Sequence, residues 1–148
     1  MFDDLVRFET VLWGALDERL RQECGITLSH LNVMLIIKAT PQCRVLDIAQ
    51  ALQITVGGTS QAVDRLEATG RCRRRANPAD RRSSIVELTP EGEQILLLAT
   101  PVFDRELDGF LRSPLSGEAF THLAAALGLL RRAATTDVPT HGKIVPIP

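Results

Sequence analysis

The sequence predicts a mainly α-helical chain carrying one small β-hairpin. Three observations predict it. Apolar residues recur at helical spacing through most of the chain, as in Leu5, Phe8, Leu12, Leu16 and Leu20. That spacing breaks once, after Gly70, where two short runs flank the turn formers Asn77-Pro78-Ala79-Asp80. It resumes at Thr89-Pro90, a helix start in which proline takes the first helical position and its missing N–H costs little.

The first helix follows the Leu5 to Leu20 stripe and closes at Cys24-Gly25, because glycine adopts the left-handed C-terminal conformation cheaply. Thr27 or Ser29 caps a second helix through Leu31, Met34, Leu35 and Ile36, with Pro41 in the loop after it. Val45, Ile48, Ala49 and Leu52 then make a short amphipathic helix, followed by the tight turn Gln53-Ile54-Thr55 with Thr55 as the next N-cap. The helix it opens should run to about Thr69, stop at Gly70, and turn Val56, Thr59, Ala62, Val63 and Leu66 inward. Arg71 to Arg75 and Ser83 to Leu88 read as the two strands, with Val86 and Leu88 on one side. Pro101 falls inside the long helix that follows and predicts a kink. Ser113-Pro114 and Ser116 mark a break before a last helix carrying Phe120, Leu123, Leu127 and Leu130. A poorly ordered tail is expected over 135–148, where Pro, Thr and Gly are frequent.

The bulk properties narrow the class. At 148 residues, 45% of them hydrophobic, one domain with a real core is expected. No stretch reaches the roughly 18 apolar residues of a membrane span, and Met1-Phe2-Asp3-Asp4 is unlike a signal peptide, so a cytoplasmic protein with no membrane partner is expected. The three cysteines, Cys24, Cys43 and Cys72, are odd in number and lack metal spacing, which fits reduced thiols. Cys24, at the end of the first helix, is the best thiol-sensor position, but no basic neighbour stands at helical spacing to activate it, so an inert thiol is favoured. His30, His122 and His141 are scattered and favour packing or surface roles over metal binding. Trp13 lies off the main leucine stripe, where interface packing is favoured over a ligand pocket. No catalytic or phosphate-loop constellation is visible, so neither an enzyme nor a cofactor is expected.

The short helix, turn and following helix have the order of a helix-turn-helix, whose second helix can enter the DNA major groove. The hairpin beside it is then a wing, and the fold a winged helix-turn-helix plus a helical dimerisation region. The net charge of −1 does not advertise a polyanion partner, so the case rests on where the charges lie. Between Arg71 and Arg82 stand six arginines (71, 73, 74, 75, 81, 82) against the single acid Asp80, a surplus of five. Guanidinium groups fork onto phosphate oxygens and insert into narrow minor grooves. The competing class is a winged-helix protein-interaction module without DNA binding, which only Gly57-Gly58 favours.

The residues Ile48-Ala49-Gln50-Ala51-Leu52, Val63-Asp64-Arg65-Leu66-Glu67, Gly70, Asp80-Arg81-Arg82-Ser83 and Val86-Glu87-Leu88-Thr89-Pro90-Glu91-Gly92 carry a resemblance. Over roughly Leu5 to Arg132 the sequence resembles the multiple-antibiotic-resistance regulator (MarR) family. The resemblance implies a homodimer joined through its first and last two helices, acting on pseudo-palindromic operators in double-stranded DNA. It also implies relief by small phenolic or other lipophilic effectors. The implied layout is one domain over 1–134, with the winged helix at about 28–89 and dimerisation helices at about 2–24 and 90–134. In the family the wing aspartate pairs with a recognition-helix arginine; the matching positions are Asp80 and Arg65. A wing-tip arginine enters the minor groove; Arg81 and Arg82 both qualify.

Thr55, Gly57, Gly58, Ser60, Gln61 and Arg65 on the helix and Arg73, Arg75, Arg81 and Arg82 in the wing are therefore the expected DNA-binding residues. Gly57-Gly58 departs from the family, which often carries bulkier polar or basic residues there. The pair admits two readings: close backbone approach to a phosphate, or a frayed helix start. Either way base readout shifts toward Ser60 and Gln61, since glutamine can pair with adenine.

Overall fold

The computed structural model describes residues 1–136. In chain order they form α1 (Phe2–Cys24), α2 (Leu28–Ala39), α3 (Val45–Leu52), α4 (Val56–Ala68), β1 (Cys72–Ala76), β2 (Ser84–Leu88), α5 (Pro90–Leu111) and α6 (Gly117–Thr136). Of the tail expected over 135–148, Thr135 and Thr136 belong to α6; the rest, His141 included, lies outside the described residues. Two compact units result, Met1–Leu107 and the residues from Asp108 onward.

The helix ends of the first unit are fixed by local chemistry. Gly25 closes α1 in the left-handed region, with φ of 64°. Between the two caps open for α2, Thr27 is the one used: its hydroxyl accepts the His30 N–H at 3.0 Å. Asp17 accepts the Leu28 N–H at 2.7 Å, tying the start of α2 to α1. At α3 the Asp47 carboxylate accepts the Arg44 N–H at 2.8 Å and also holds its guanidinium. These contacts satisfy N–H groups that have no partner within the helix.

Leu20, Leu31, Met34, Ile48, Val63, Leu66 and Val86 are among the fully buried side chains at the centre of this unit, and Leu96 and Ala99 of α5 pack on the same core. β1 and β2 pair antiparallel, with Cys72 opposite Leu88 and Arg74 opposite Val86. The Val86 N–H donates to the Cys43 carbonyl at 2.7 Å, which fastens the hairpin to the segment before α3. α5 stays helical through Pro101, whose missing N–H leaves the Leu97 carbonyl without its helical donor.

One expected core position differs. Thr59, Val63 and Leu66 of α4 are buried and Ala62 is half-buried, but Val56 is 51% exposed. The core ends at Thr59, so the first turn of α4 projects past it. The buried Thr59 hydroxyl donates to the Thr55 carbonyl at 2.9 Å. Along α1, Leu16 and Leu20 are buried whereas Leu5 and Phe8 are exposed, as are Phe2, Val11 and Trp13.

In the second unit, Ser116 caps α6 by accepting the Ala119 N–H at 3.2 Å. The Arg112 guanidinium lies 4.2 Å from the centre of the Phe120 ring, a cation–π contact. Leu123, Leu127 and Leu130 of the predicted stripe are exposed.

Burial pushes all three thiols up, Cys43 and Cys72 to about 11. Cys24 therefore lacks the lowered pKa that a thiolate sensor needs. His30 is half-buried, and its Nδ1 is buried with no hydrogen-bond partner among the described residues. Burial, with Arg71, Arg65 and Arg21 nearby, pushes its pKa below the ordinary 6.5. As the pH falls, this imidazole takes up a proton in the unfolded chain before it does so in the folded one. Its contribution to stability is present above pH 6.5 and is lost as the pH falls through that value. Thermal melts should therefore decline as the pH falls through 6.5, and His30→Gln should flatten the decline. A variant that keeps the full decline assigns it elsewhere. Asp47 and Glu87, held below the ordinary carboxylate range by their arginine partners, titrate at lower pH.

Candidate nucleic-acid interface

α3, the turn and α4 form the helix-turn-helix. Gln53 makes the turn in the left-handed region at φ of 55°, and Ile54 donates its N–H to the Ala49 carbonyl. Thr55 caps α4 by accepting the Gly58 N–H at 3.1 Å. A Cβ on Gly58 would press to 3.1 Å from that cap oxygen, so glycine suits the site; a Cβ on Gly57 would meet nothing within 4 Å. The outward face of α4 carries Gly57, Gly58, Gln61, Asp64 and Arg65, all exposed, with Ser60 half-buried at its margin.

The wing tip is self-supporting. The Asn77 side chain accepts the Ala79 N–H at 3.0 Å and donates to the Ser83 hydroxyl at 2.8 Å. The Asp80 carboxylate accepts the Arg82 N–H at 2.9 Å. Arg81 and Arg82 are exposed and make no ion pair among the described residues. This is the arrangement that a phosphate or minor-groove contact requires: fixed backbone, free guanidinium.

The other wing arginines are engaged. Arg73 and Arg75 share one face of β1 and both pair with Glu87 of β2, at 3.4 and 2.5 Å. Those bonds hold the Glu87 carboxyl below the usual range. Arg74, on the opposite face, reaches α4 and binds Asp64 at 2.6 Å and Glu67 at 2.5 Å, and its N–H donates to Glu67. Three acids from outside the run, Asp64, Glu67 and Glu87, thus offset part of the surplus of five, and Arg73 and Arg75, both exposed, share the single Glu87 carboxylate. The expected Arg65–Asp80 brace is not formed: Asp80 serves the wing turn and Arg65 makes no ion pair among the described residues. Arg74 does the bracing instead. Its partners lie 7 and 10 residues earlier, and strand alternation after Cys72 was the signal that could have placed it toward α4.

A second junction joins the wing to α5. The Thr89 hydroxyl donates to the Gly70 carbonyl at 2.6 Å and accepts the Gly92 N–H at 3.0 Å. The Thr89 N–H donates to the Arg71 carbonyl at 3.1 Å, and the Arg71 guanidinium reaches the Gly25 carbonyl at 3.0 Å.

Residues 26–84 match the sequence profile described as MarR family. The transcriptional regulator HosA of Escherichia coli O111:H- is 36% identical over 93 residues, covering 63% of this chain and 68% of that protein. The chain belongs to the MarR family. Among solved structures of similar fold, the MepR–DNA complex of S. aureus is 26% identical with a TM-score of 0.79, covering 90% of this chain and 98% of that one. The transcriptional repressor CouR, bound to a 23-mer DNA duplex, is 25% identical with a TM-score of 0.79, covering 86% and 89%. This MarR-family transcription regulator has the winged helix-turn-helix expected from the sequence, and no described helix is long and apolar enough to cross a membrane. Among the described residues no cluster of His, Cys, Asp and Glu could hold a metal ion.

Proposed function

We propose that this regulator represses transcription in the cytoplasm as a homodimer bound to pseudo-palindromic operator DNA. The observation that carries the reading is the pair of exposed arginines, Arg81 and Arg82, which make no ion pair among the described residues and stand on a wing turn held by its own hydrogen bonds. Thr55, Gly57, Gly58, Ser60, Gln61 and Arg65 supply the major-groove contact, and Arg81 and Arg82 the phosphate or minor-groove contact. The similar MepR and CouR are each bound to DNA, and CouR is a repressor. Dimerisation is supported by exposed apolar residues on α1 (Phe2, Leu5, Phe8, Val11) and on α6 (Leu127, Leu129, Leu130).

A cavity of about 530 Å³ between α2 and α5 is the effector site, lined by Leu35, Lys38, Leu96, Leu97, Thr100 and Pro101 among others. Its size and its mostly apolar wall with a few polar groups suit a small lipophilic or phenolic molecule.

The test is binding to the promoter beside the protein's own gene across a salt series. Arg81→Ala with Arg82→Ala should weaken binding and flatten the log–log salt slope by up to about one unit per lost phosphate contact. Wild type should bind with two chains per operator. Unchanged affinity and slope in the double variant would remove the wing from the interface, and one chain per operator would remove the dimer.

A further inference from the structure

We propose that Val56, at the tip of α4, reads the methyl group of a thymine in the major groove, so that this regulator selects T·A pairs partly by apolar contact. The inference rests on the DNA-binding reading above and deepens it. Val56 is 51% exposed and Ile54, in the turn just before it, is 47% exposed. Helical periodicity aims Val56 toward the core, yet the core stops at Thr59 and the described residues leave half of the side chain uncovered. Both side chains stand at the N-terminal end of α4, the part of a recognition helix that reaches base edges.

Gly57 and Gly58 give this exposure its geometry. Over positions 56–58 Val56 is the sole residue with a side chain. A Cβ on Gly57 would touch nothing within 4 Å, so packing inside the chain does not call for glycine there. Bare backbone at the two positions after Val56 lets the helix end sink toward the groove floor, where a short side chain such as valine can touch a base. A longer side chain at 57 would hold it away. In the major groove thymine alone of the four bases presents a methyl group, and apolar side chains are its partner. Gln61, one turn beyond Gly57 on the outward face, has the donor and acceptor pair that adenine matches. Apolar and amide contacts on one helix end thus both favour T·A pairs.

The experiment uses the full chain and the tightest duplex selected from a randomised pool, with each thymidine in turn replaced by deoxyuridine. That exchange deletes one methyl and keeps base pairing. Wild type should lose about fourfold in affinity, the worth of one buried methyl, at one or two positions per half-site and nowhere else. Val56→Ala should bind the unmodified duplex several-fold more weakly, with an unchanged salt slope, and should lose nothing further from deoxyuridine at those positions. Its exposed position lets it fold, and an unchanged thermal melt verifies this. The proposal is overturned if wild type is indifferent to deoxyuridine at every position, or if Val56→Ala keeps the wild-type sensitivity. Failure of wild type to select any duplex would instead bring down the DNA-binding reading, and this inference with it.

Discussion

Gly92→Ala is expected to lower the melting temperature by roughly 6–10 °C, a destabilisation of about 2–3 kcal/mol. A Cβ at this position would stand 1.9 Å from the Arg71 carbonyl oxygen and 2.9 Å from its carbon. The obstacle is backbone, which cannot swing aside as a flexible side chain would. It is also backbone already in use, because that carbonyl accepts the Thr89 N–H. Relieving the overlap means parting α5 from the end of α4 and stretching the Thr89 bonds to Gly70 and Arg71. Alanine's better helix propensity, worth up to about 1 kcal/mol, offsets only part of this. Gly57→Ala is the control, since its Cβ meets open space and the variant should melt no lower than wild type, or slightly higher through helix propensity. A Gly92→Ala protein melting within a degree or two of wild type would show that the junction yields easily.

Arg74→Ala is expected to weaken operator binding by on the order of tenfold or more, about 1.4 kcal/mol per factor of ten. Two effects act in the same direction. The hairpin loses its tie to α4, and Asp64 and Glu67 lose the cation that neutralises them beside a polyanion. The stability cost should be small, on the order of 1 kcal/mol, because Asp64 is 59% exposed and solvent screens the pair. Adding Asp64→Asn and Glu67→Gln to the variant separates the effects. Recovery of affinity assigns the loss to uncovered charge; no recovery assigns it to the wing's position. Wild-type affinity in Arg74→Ala alone would end the brace interpretation.

Local chemistry made most of the fold legible. Gly25, Thr55, Gly70, Thr89 and Pro90 each mark a boundary through a conformation or a cap that depends on near neighbours, and the elements begin and end beside them. Val56 shows where periodicity stops being informative. It gives the angular phase of a side chain around the helix, not the distance to which the core extends along it. The wing charges show a second limit. Six arginines in one run read as a cationic surface, but the acids that pair with three of them come from α4 and from the facing strand. Which acid meets which arginine depends on hairpin register and on how the hairpin lies against α4, and composition holds neither. Asp80 misled for the same reason: beside Arg82 it could serve either the turn or the distant Arg65, and it serves the turn. Gly92 was visible within a motif, while the carbonyl that demands it lies 21 residues back at Arg71.

The junction of Thr89 and Gly92 with Gly70 and Arg71 has a mechanical consequence. The first turn of α5 is bonded to the chain just where α4 ends and β1 begins. Arg74 in turn ties β1 back to α4. A torque on α5 is therefore not absorbed at a loose joint. Through these bonds it should reach the recognition helix and the hairpin together, as on one lever arm. Bonds cross the joint at the base of this arm, whereas farther along α5 Pro101 removes a helical hydrogen bond, so bending should concentrate there. In a dimer, the spacing of the two operator half-sites would then gauge the angle between two such arms rather than the shape of either one.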